Sequence, residues 1–218
     1  ALTRGVGFDG SSIEGFARFN ESDMYALPDP TTFAILPWRP RTNAVARMFC
    51  DIVSPSGEIY AGDTRSVLRR NLERAAELGY TYYVAPEIEY FYFQDSLGTE
   101  PLEGGGYFDQ EPQDVATNLR RETVLYLEEM AIPVRFSHHE GSPSQHEIVL
   151  RHTGAMAMAD AVMTTRVIVK EVASKHGKYA TFMPKPVYGI NGSGMHTHQS
   201  LFKGNDNAFY DAGDPDHL

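Results

Sequence analysis

The segment from Tyr80 to Phe93 limits the possible folds most, because it is rich in aromatic and β-branched residues and yet contains two glutamates. This composition predicts β-structure, and we expect two consecutive strands that are broken at Pro86. Side chains two positions apart on a strand point to the same face, so Glu87 and Glu89 should lie side by side. The aromatic neighbours indicate a strand packed on both sides, where carboxylates need partners. The pair therefore predicts a cation site, with two glutamates on a solvated strand face as the simpler alternative.

A second pair of glutamates, Glu140 and Glu147, lies on either side of a Gly-Ser-Pro-Ser bend. Residues 134–137 and 145–150 are strand-like and flank this bend, so we expect a hairpin or a strand, bend and strand. Such a bend would return Glu147 to a position beside Glu140. Taken alone, the segment is only a polar loop.

Two histidines, His196 and His198, are also two residues apart, on a predicted strand from 195 to 202 behind a glycine-rich loop. A single histidine is more often structural than a ligand. Four carboxylates with one or two imidazoles nevertheless suit Mg²⁺ or Mn²⁺ better than zinc, which usually recruits cysteine or three histidines. Carboxylate-rich sites of this kind commonly hold phosphates. The sequence has no P-loop pattern, so a bound nucleotide must be held in another way.

The rest of the pattern predicts an α+β fold, in which a small sheet-and-loop module precedes a larger domain of antiparallel strands packed with helices. A turn at residues 54–57 separates the two, which gives expected domains of 1–56 and 57–218. Helices are predicted after the N-cap at Asp63-Thr64 to about Leu78, over 115–130, and over 155–176.

Composition excludes several classes of function. The 218 residues have a formal net charge of −10 and a pI of about 5.2, which argues against nucleic acid and anionic membranes as partners. We find no membrane-length apolar run, and the first residues show no apolar stretch typical of a secretory signal. A lone cysteine, Cys50, suits a reducing compartment, so we expect a cytoplasmic protein.

Several separated motifs together resemble the glutamine synthetase family, in the family's order and over essentially the whole chain. They occupy residues 8–15, 20–24, 85–89, 105–108, 138–140, 145–147, 182–186 and 191–198. The resemblance is to the bacterial and archaeal type I enzymes. It implies a β-grasp-type N-terminal domain and a segment of about the first half of such a subunit, without its N-terminal start and its C-terminal half.

The resemblance also implies a two-metal site that holds Mg²⁺ or Mn²⁺. By this resemblance, Glu89, Glu140 and Glu147 would hold the metal nearer the substrate glutamate. Glu87 and His196 would hold the metal that bridges the phosphates of ATP.

The resemblance implies further site residues, at positions that line the substrate sites of the family. They are Asn191, Gly192 and Tyr107 with Glu89 at the glutamate site, His198 and Ser200 near the nucleotide, His152 near the adenine, and Asp9 and Asp23 at an ammonium pocket shaped across a subunit interface.

The implied activity is the ATP-dependent ligation of ammonia to the γ-carboxylate of L-glutamate through a γ-glutamyl phosphate. Asp9 would help to deprotonate the ammonium ion and would act from a neighbouring subunit. The family resemblance implies a homo-oligomer, expected as a dodecamer of two stacked hexameric rings.

Three positions depart from the family pattern. Arg135 replaces a common glutamate, His152 replaces a commonly aromatic residue, and Ser144 replaces a usual glycine. The alternatives are a γ-glutamyl ligase for an amine or polyamine, a catalytically silent paralogue, and a metal-dependent hydrolase that would bind zinc through His196 and His198 with other histidine and glutamate ligands. An intact Asp-Gly-Ser-Ser sequence after Phe8 favours ammonia over a larger amine.

Overall fold

The computed structural model describes residues 5–15 and 23–216. Part of the predicted 20–24 motif, residues 20–22, lies outside this description. The chain forms two compact units, residues 1–81 and residues 82–218.

The first unit combines two small antiparallel sheets with one helix. One sheet has the strand order β1-β2-β5, and the other pairs β3 with β4. The elements are β1 (Val6–Asp9), β2 (Asp23–Pro28), β3 (Ala34–Ile35), β4 (Ala46–Arg47), β5 (Cys50–Val53) and α1 (Thr64–Glu77).

Helix α1 begins and ends where the sequence predicts. The Asp63 side chain accepts hydrogen bonds from the backbone N–H groups of Arg65 and Ser66, which caps the first turn. Gly79 follows the helix with φ +84°, a conformation that glycine adopts without strain. Arg65 extends from the first turn and forms ion pairs with Asp29 and Asp51, so these charges tie the helix to its own unit.

The second unit is built on a sheet with the main strand order β12-β11-β6-β8-β7, and β9 and β10 also pair with β6. Its helices, α2 and α3, pack against each other. The elements are β6 (Thr81–Phe93), α2 (Thr117–Glu129), β7 (Val134–His139), β8 (Gln145–Leu150), β9 (Thr153–Gly154), α3 (Ala155–Lys175), β10 (Tyr179–Thr181), β11 (Met195–Lys203) and β12 (Asp206–Asn207).

The predicted break at Pro86 is wrong, because residues 81–93 form one continuous strand. Tyr83 and Val84 pair with β9, and pairing with β8 begins at Glu87. Pro86 therefore lies where the neighbouring chain passes from one short strand to the other. No ladder hydrogen bond is required from its missing N–H at that point.

The core lies on one face of β6. Tyr90 and Tyr92 are fully buried there, and apolar residues of the helices and of β8, such as Leu127, Ile168 and Ile148, are buried with them. Glu87 and Glu89 occupy alternate positions on the opposite, partly exposed face. Among the described residues, no helix is both long and apolar enough to cross a membrane.

Candidate active site

Carboxylates from two strands meet on the partly exposed face of the second unit's sheet. Glu89 on β6 is directly paired with Glu147 on β8, and Glu147 is paired with His138 on β7. One ligand atom from each of His138, Glu140 and Glu147 lies within 4.8 Å of the others. The hairpin predicted from the bend at 141–144 is confirmed, and it brings Glu140 and Glu147 together as expected.

The protonation of Glu147 reflects this crowding. Burial raises the pKa of Glu147 to about 7, and the negative charges of Glu140, Glu87 and Glu89 act in the same direction. His138 lowers this pKa instead, and its Nε2 lies 3.4 Å from Glu147 Oε1. The four predicted carboxylates are therefore close enough to interact electrostatically.

Two imidazoles flank the fourth carboxylate, Glu87. His198 Nε2 lies 2.7 Å from Glu87 Oε1, and His196 Nδ1 lies 3.2 Å from Glu87 Oε2. These hydrogen bonds, that of His198 above all, lower the pKa of Glu87. Both imidazoles are largely exposed, so they are accessible to a ligand.

The glycine-rich loop that precedes β11 is attached directly to the carboxylates. Gln145 Nε2 donates to Glu89 Oε2 and to the carbonyl of Gly192, both at 2.9 Å. A Cβ atom on Gly192 would lie 2.2 Å from the carbonyl oxygen of Pro184, so no larger residue fits there. A Cβ atom on Gly194 would lie 3.3 Å from Glu89 Oε1 and 3.6 Å from a ring nitrogen of His196. This loop thus joins the two groups of predicted ligands.

Three other predicted site residues lie around this centre. The Asn191 carbonyl accepts a hydrogen bond from Ser142 in the hairpin bend. The Tyr107 ring meets the His138 ring edge-on, with centroids 5.5 Å apart. Ser200 is half-buried on β11, two residues beyond His198.

An aromatic pocket lies farther along β6. The Tyr83 ring makes edge-on contacts with the rings of His152 and Phe202, and these residues line a cavity of about 290 Å³ with Gly204 and Asn205. A flat aromatic base would find aromatic rings and the polar side chain of Asn205 here.

Asp9 and Asp23 belong to the first unit and are directly paired across β1 and β2. The hydroxyl and backbone N–H of Ser11, with the hydroxyl of Ser12, donate to Asp9 and lower its pKa. Two exposed carboxylates at opposed positions favour a cation.

A buried ion network lies behind the metal-ligand candidates. His139 and His146 are paired across β7 and β8 and alternate with His138 and Glu147, so they point to the other face. Glu103 approaches both rings, with Oε1 at 3.1 Å from His139 Nε2 and 3.6 Å from His146 Nε2. Arg120 donates to His146 Nδ1 and forms an ion pair with Asp114.

The three departures from the family pattern have defined surroundings. Ser144 adopts φ +58°, and its Oγ accepts hydrogen bonds from the backbone N–H groups of Leu102 and Glu103. His152 keeps a ring in the aromatic pocket. The Arg135 guanidinium is exposed and lies 5.7 Å from the centroid of its neighbour Phe136.

The donor set suits the divalent cations that the fold implies. Four carboxylates held close together repel one another, and this repulsion adds to burial in raising the pKa of Glu147. A bound cation would relieve the repulsion. Oxygen donors in the majority favour Mg²⁺ or Mn²⁺. Glu89, Glu140 and Glu147 could hold one ion, and Glu87 with His196 could hold a second.

Sequence reasoning did not single out three residues that matter to this geometry. His138 shares a face with Glu140 by the same alternation that joins Glu87 to Glu89, so the signal was present. Gln145 was noted only as part of a motif. Glu103 lies in a glycine-rich loop, and no periodicity connects it to the two histidines.

The chain matches models of one class of α+β protein, in which a β-grasp domain precedes a catalytic domain. Residues 1–55 match the β-grasp domain of glutamine synthetase, and residues 61–218 match the glutamine synthetase catalytic domain. The chain therefore belongs to the glutamine synthetase family.

Individual relatives agree with this assignment. A glutamine synthetase of Mycolicibacterium smegmatis is 54% identical over 221 residues, which cover 99% of this chain and 50% of the relative. A cryo-EM structure of Plasmodium falciparum glutamine synthetase superposes with a TM-score of 0.88 at 28% identity, over 98% of this chain and 48% of that one. A GmaS/ADP complex gives the same TM-score and identity over 98% of this chain and 50% of that one. The chain thus spans about half the length of the relatives that it matches.

Proposed function

We propose that the complete protein ligates ammonia to the γ-carboxylate of L-glutamate at the expense of ATP, giving glutamine. The observation that carries the proposal is the convergence of Glu87, Glu89, Glu140 and Glu147 on one face of the sheet, beside the two imidazoles on β11. The same activity is supported by family membership and by glutamine synthetases with about 50% sequence identity to this chain.

The residues of this chain would divide the work by position. Divalent cations held by the carboxylates would neutralise the phosphate and carboxylate charges that must approach each other. Gln145 orients Glu89 toward the glycine-rich loop, where Asn191 and Gly192 would line the glutamate site with Tyr107. His198 and Ser200 would lie on the nucleotide side.

The aromatic pocket would receive the adenine of ATP. Tyr83, His152 and Phe202 line this pocket on the same sheet as the carboxylates, and Tyr83 precedes Glu87 by four residues on one strand. The likeness to a structure of GmaS in complex with ADP is consistent with a nucleotide-binding role.

Asp9 and Asp23 would attract ammonium and assist its deprotonation. Their opposed carboxylates provide negative charge for a small cation, and the hydrogen bonds from Ser11 and Ser12 keep Asp9 ionised. We further propose a homo-oligomer of stacked rings in which these residues serve a neighbouring subunit's site.

The proposal is tested by measuring which amine the protein accepts. Purified complete protein is assayed for phosphate release from ATP with glutamate and Mg²⁺, and with ammonium, putrescine or spermine as the acceptor. We expect ammonium to give the highest kcat/KM and mass spectrometry to identify glutamine. A preference for putrescine or spermine would replace the proposal with a γ-glutamyl-amine ligase, and no acceptor-dependent turnover would identify a silent paralogue.

The hydrolase alternative finds no support in the family to which the chain belongs. Its candidate ligands, His196 and His198, both contact Glu87, but within the part of the chain that the structure describes they belong to no group of three or more ligand atoms close enough to hold one ion.

A further inference from the structure

The cluster of Glu103, His139 and His146 has the residue types of a second metal site, but its hydrogen bonds argue otherwise. Arg120 can only donate, so His146 Nδ1 accepts from it and His146 Nε2 carries the hydrogen. His139 Nδ1 lies 2.6 Å from the carbonyl of Glu140 and must donate to it, while His139 Nε2 donates to Glu103. Both ring nitrogens that face Glu103 therefore carry hydrogen, and neither offers a lone pair to a cation.

The same atoms form a buried network in which charges are compensated. Glu103 balances His139, and Asp114 balances Arg120, with His146 between the two pairs. Burial alone would raise the pKa of Glu103, but hydrogen bonds from His139 and from the Gly105 N–H, with the nearby His146 ring, hold it far below its usual range. His146 Nε2 is buried without a hydrogen-bond partner and points toward this carboxylate at 3.6 Å. Glu103 is thus the common partner of both histidines.

These histidines directly precede two of the candidate metal ligands. His139 is followed by Glu140 and His146 by Glu147, and the two histidines are paired across the hairpin. Glu147 follows His146 on β8, so a fixed His146 ring holds Glu147 on the opposite face of the strand. Glu140 directly follows the end of β7, and its N–H donates to the carbonyl of Gln145, so fixing His139 limits the positions that Glu140 can take.

We propose that Glu103 is a positioning residue that sets the spacing of Glu140 and Glu147 through His139 and His146. This inference rests on the proposed function, in which the two glutamates hold a cation. Glu103 does not touch the reacting groups in this arrangement, and it acts through the hairpin.

Ser144 provides a second anchor for the same loop. Its Oγ accepts from the N–H groups of Leu102 at 2.6 Å and of Glu103 at 3.3 Å, and it lies fully buried at the hairpin bend. Serine at φ +58° costs backbone strain that glycine would avoid. The two hydrogen bonds offset this strain and place Glu103 against the histidines.

The loop from 102 to 108 is held to the hairpin at its other end as well. The Phe108 N–H donates to the His139 carbonyl, and the Phe108 ring stacks on His138 with centroids 4.5 Å apart. A Cβ atom on Gly105 would lie 2.8 Å from His139 Nε2, so the loop backbone packs directly on that ring. Tyr107, proposed for the glutamate site, belongs to this loop. Glu103 therefore also connects the metal ligands to the glutamate side of the site.

The first test compares Glu103→Gln with Glu100→Gln in the complete protein. Glu100 is exposed in the same loop region and serves as the matched control. We expect Glu103→Gln to weaken Mn²⁺ binding by about 10- to 100-fold, the range found for groups that orient metal ligands. The electron paramagnetic resonance spectrum of bound Mn²⁺ should broaden, because the ligand geometry becomes heterogeneous, and Glu100→Gln should match the wild type.

Steady-state kinetics separates positioning from a general loss of stability. Loosening of the loop should raise the KM for glutamate more than the KM for ATP. A variant with lowered Tm but unchanged Mn²⁺ affinity, Mn²⁺ spectrum and KM for glutamate would overturn the inference.

A second variant, Ser144→Gly, keeps the test decisive if Glu103→Gln does not fold. Glycine relaxes the backbone at positive φ and removes the short side chain whose hydroxyl anchors Leu102 and Glu103. Faster amide hydrogen exchange at these residues in metal-free protein, together with weaker Mn²⁺ binding, would support the inference. Unchanged exchange and binding would overturn it.

The outcome for the proposed function remains separate. If the wild-type protein forms no glutamine, the proposed function fails, whereas Mn²⁺ binding and amide exchange still report on Glu103. If the wild type forms glutamine and both Glu103→Gln and Ser144→Gly leave these readouts unchanged, only the positioning role fails.

Discussion

Glu89 and Glu147 occupy directly paired positions on neighbouring antiparallel strands, so two carboxylates face each other across the ladder between β6 and β8. Like charges at such positions destabilise a sheet, by roughly 0.2–1 kcal/mol. The natural partner of this arrangement is a divalent cation. The folded state without metal should therefore be less stable than the metal-bound state.

The first prediction is that Glu147→Gln stabilises the metal-free protein and reduces its stabilisation by Mn²⁺, because one of the two ion sites loses a ligand. At 100 times its Kd, Mn²⁺ should stabilise the wild type by about 2.7 kcal/mol. Thermal unfolding with and without Mn²⁺ measures both effects. Glu77→Gln, at an exposed position on α1, is the control and should respond to Mn²⁺ as the wild type does. A Glu147→Gln protein that keeps the full Mn²⁺ response would contradict the prediction.

The second prediction concerns protons released by metal binding. The pKa of Glu147 is raised to about 7, so this carboxyl is mostly protonated at pH 6 and ionised at pH 8.5. A cation requires the ionised form, and binding should expel close to one proton at pH 6 and almost none at pH 8.5. Calorimetry in buffers of different ionisation enthalpy measures this number. A proton count that does not change between the two pH values would exclude Glu147 as the titrating ligand.

The same shift affects the stability of metal-free protein with a defined sign. An acid whose pKa is raised on folding costs stability when it ionises, so the cost is absent below about pH 4.5 and complete above about pH 7. For this group, the free energy of unfolding should fall as the pH rises through that window. Chemical denaturation of the wild type and Glu147→Gln at pH 5 and pH 8 measures how much the ionisation of Glu147 changes the free energy of unfolding.

The third prediction places the base of ATP against His152. His152→Ala should raise the KM for ATP by roughly 2- to 13-fold, which corresponds to the loss of about 0.5–1.5 kcal/mol from one aromatic contact. His152→Phe keeps a ring in the pocket and should remain close to the wild type. His176→Ala, on the exposed C-cap of α3, is the control for histidine loss elsewhere. An unchanged KM for ATP in His152→Ala would move the adenine away from this pocket.

The fourth prediction is that Asp9 acts on a neighbouring subunit's carboxylates. Asp9→Ala and Glu140→Ala should each lose ligase turnover, Glu140→Ala with weakened metal binding. Mixed oligomers of the two variants should recover part of the activity, because some interfaces would combine an intact Asp9 with an intact Glu140. Verified mixed oligomers that stay inactive would show that each chain completes its own site.

Local patterns predicted most of the secondary structure. The Asp63 cap and Gly79 stop fixed the limits of α1, and the bend at 141–144 identified the hairpin, because each signal depends on a few adjacent residues. The break at Pro86 was wrong for a tertiary reason. Whether proline interrupts a strand depends on the partner chain at that position, which sequence spacing does not reveal.

The candidate site was predictable to the extent that its residues alternate along a strand. Glu87 and Glu89 follow that rule, and so does His138 with Glu140. Glu103 could not be found in this way, because a loop brings it to the histidines from 36 residues away in sequence. The role of Ser144 could not be predicted either, because its hydroxyl accepts hydrogen bonds from two backbone N–H groups of that distant loop.

The unbroken strand β6 sets the distance between the aromatic pocket and the carboxylates. Tyr83 and Glu87 are four residues apart on one strand, a rise of about 13 Å at roughly 3.3 Å per residue. Adding or removing one residue between them would turn the glutamates to the buried face, and a change of two would move them by a whole repeat. The distance between the pocket and the carboxylates can therefore change only in steps of two residues. Substitutions can alter which ligand the site binds only by exchanging side chains at this constant distance.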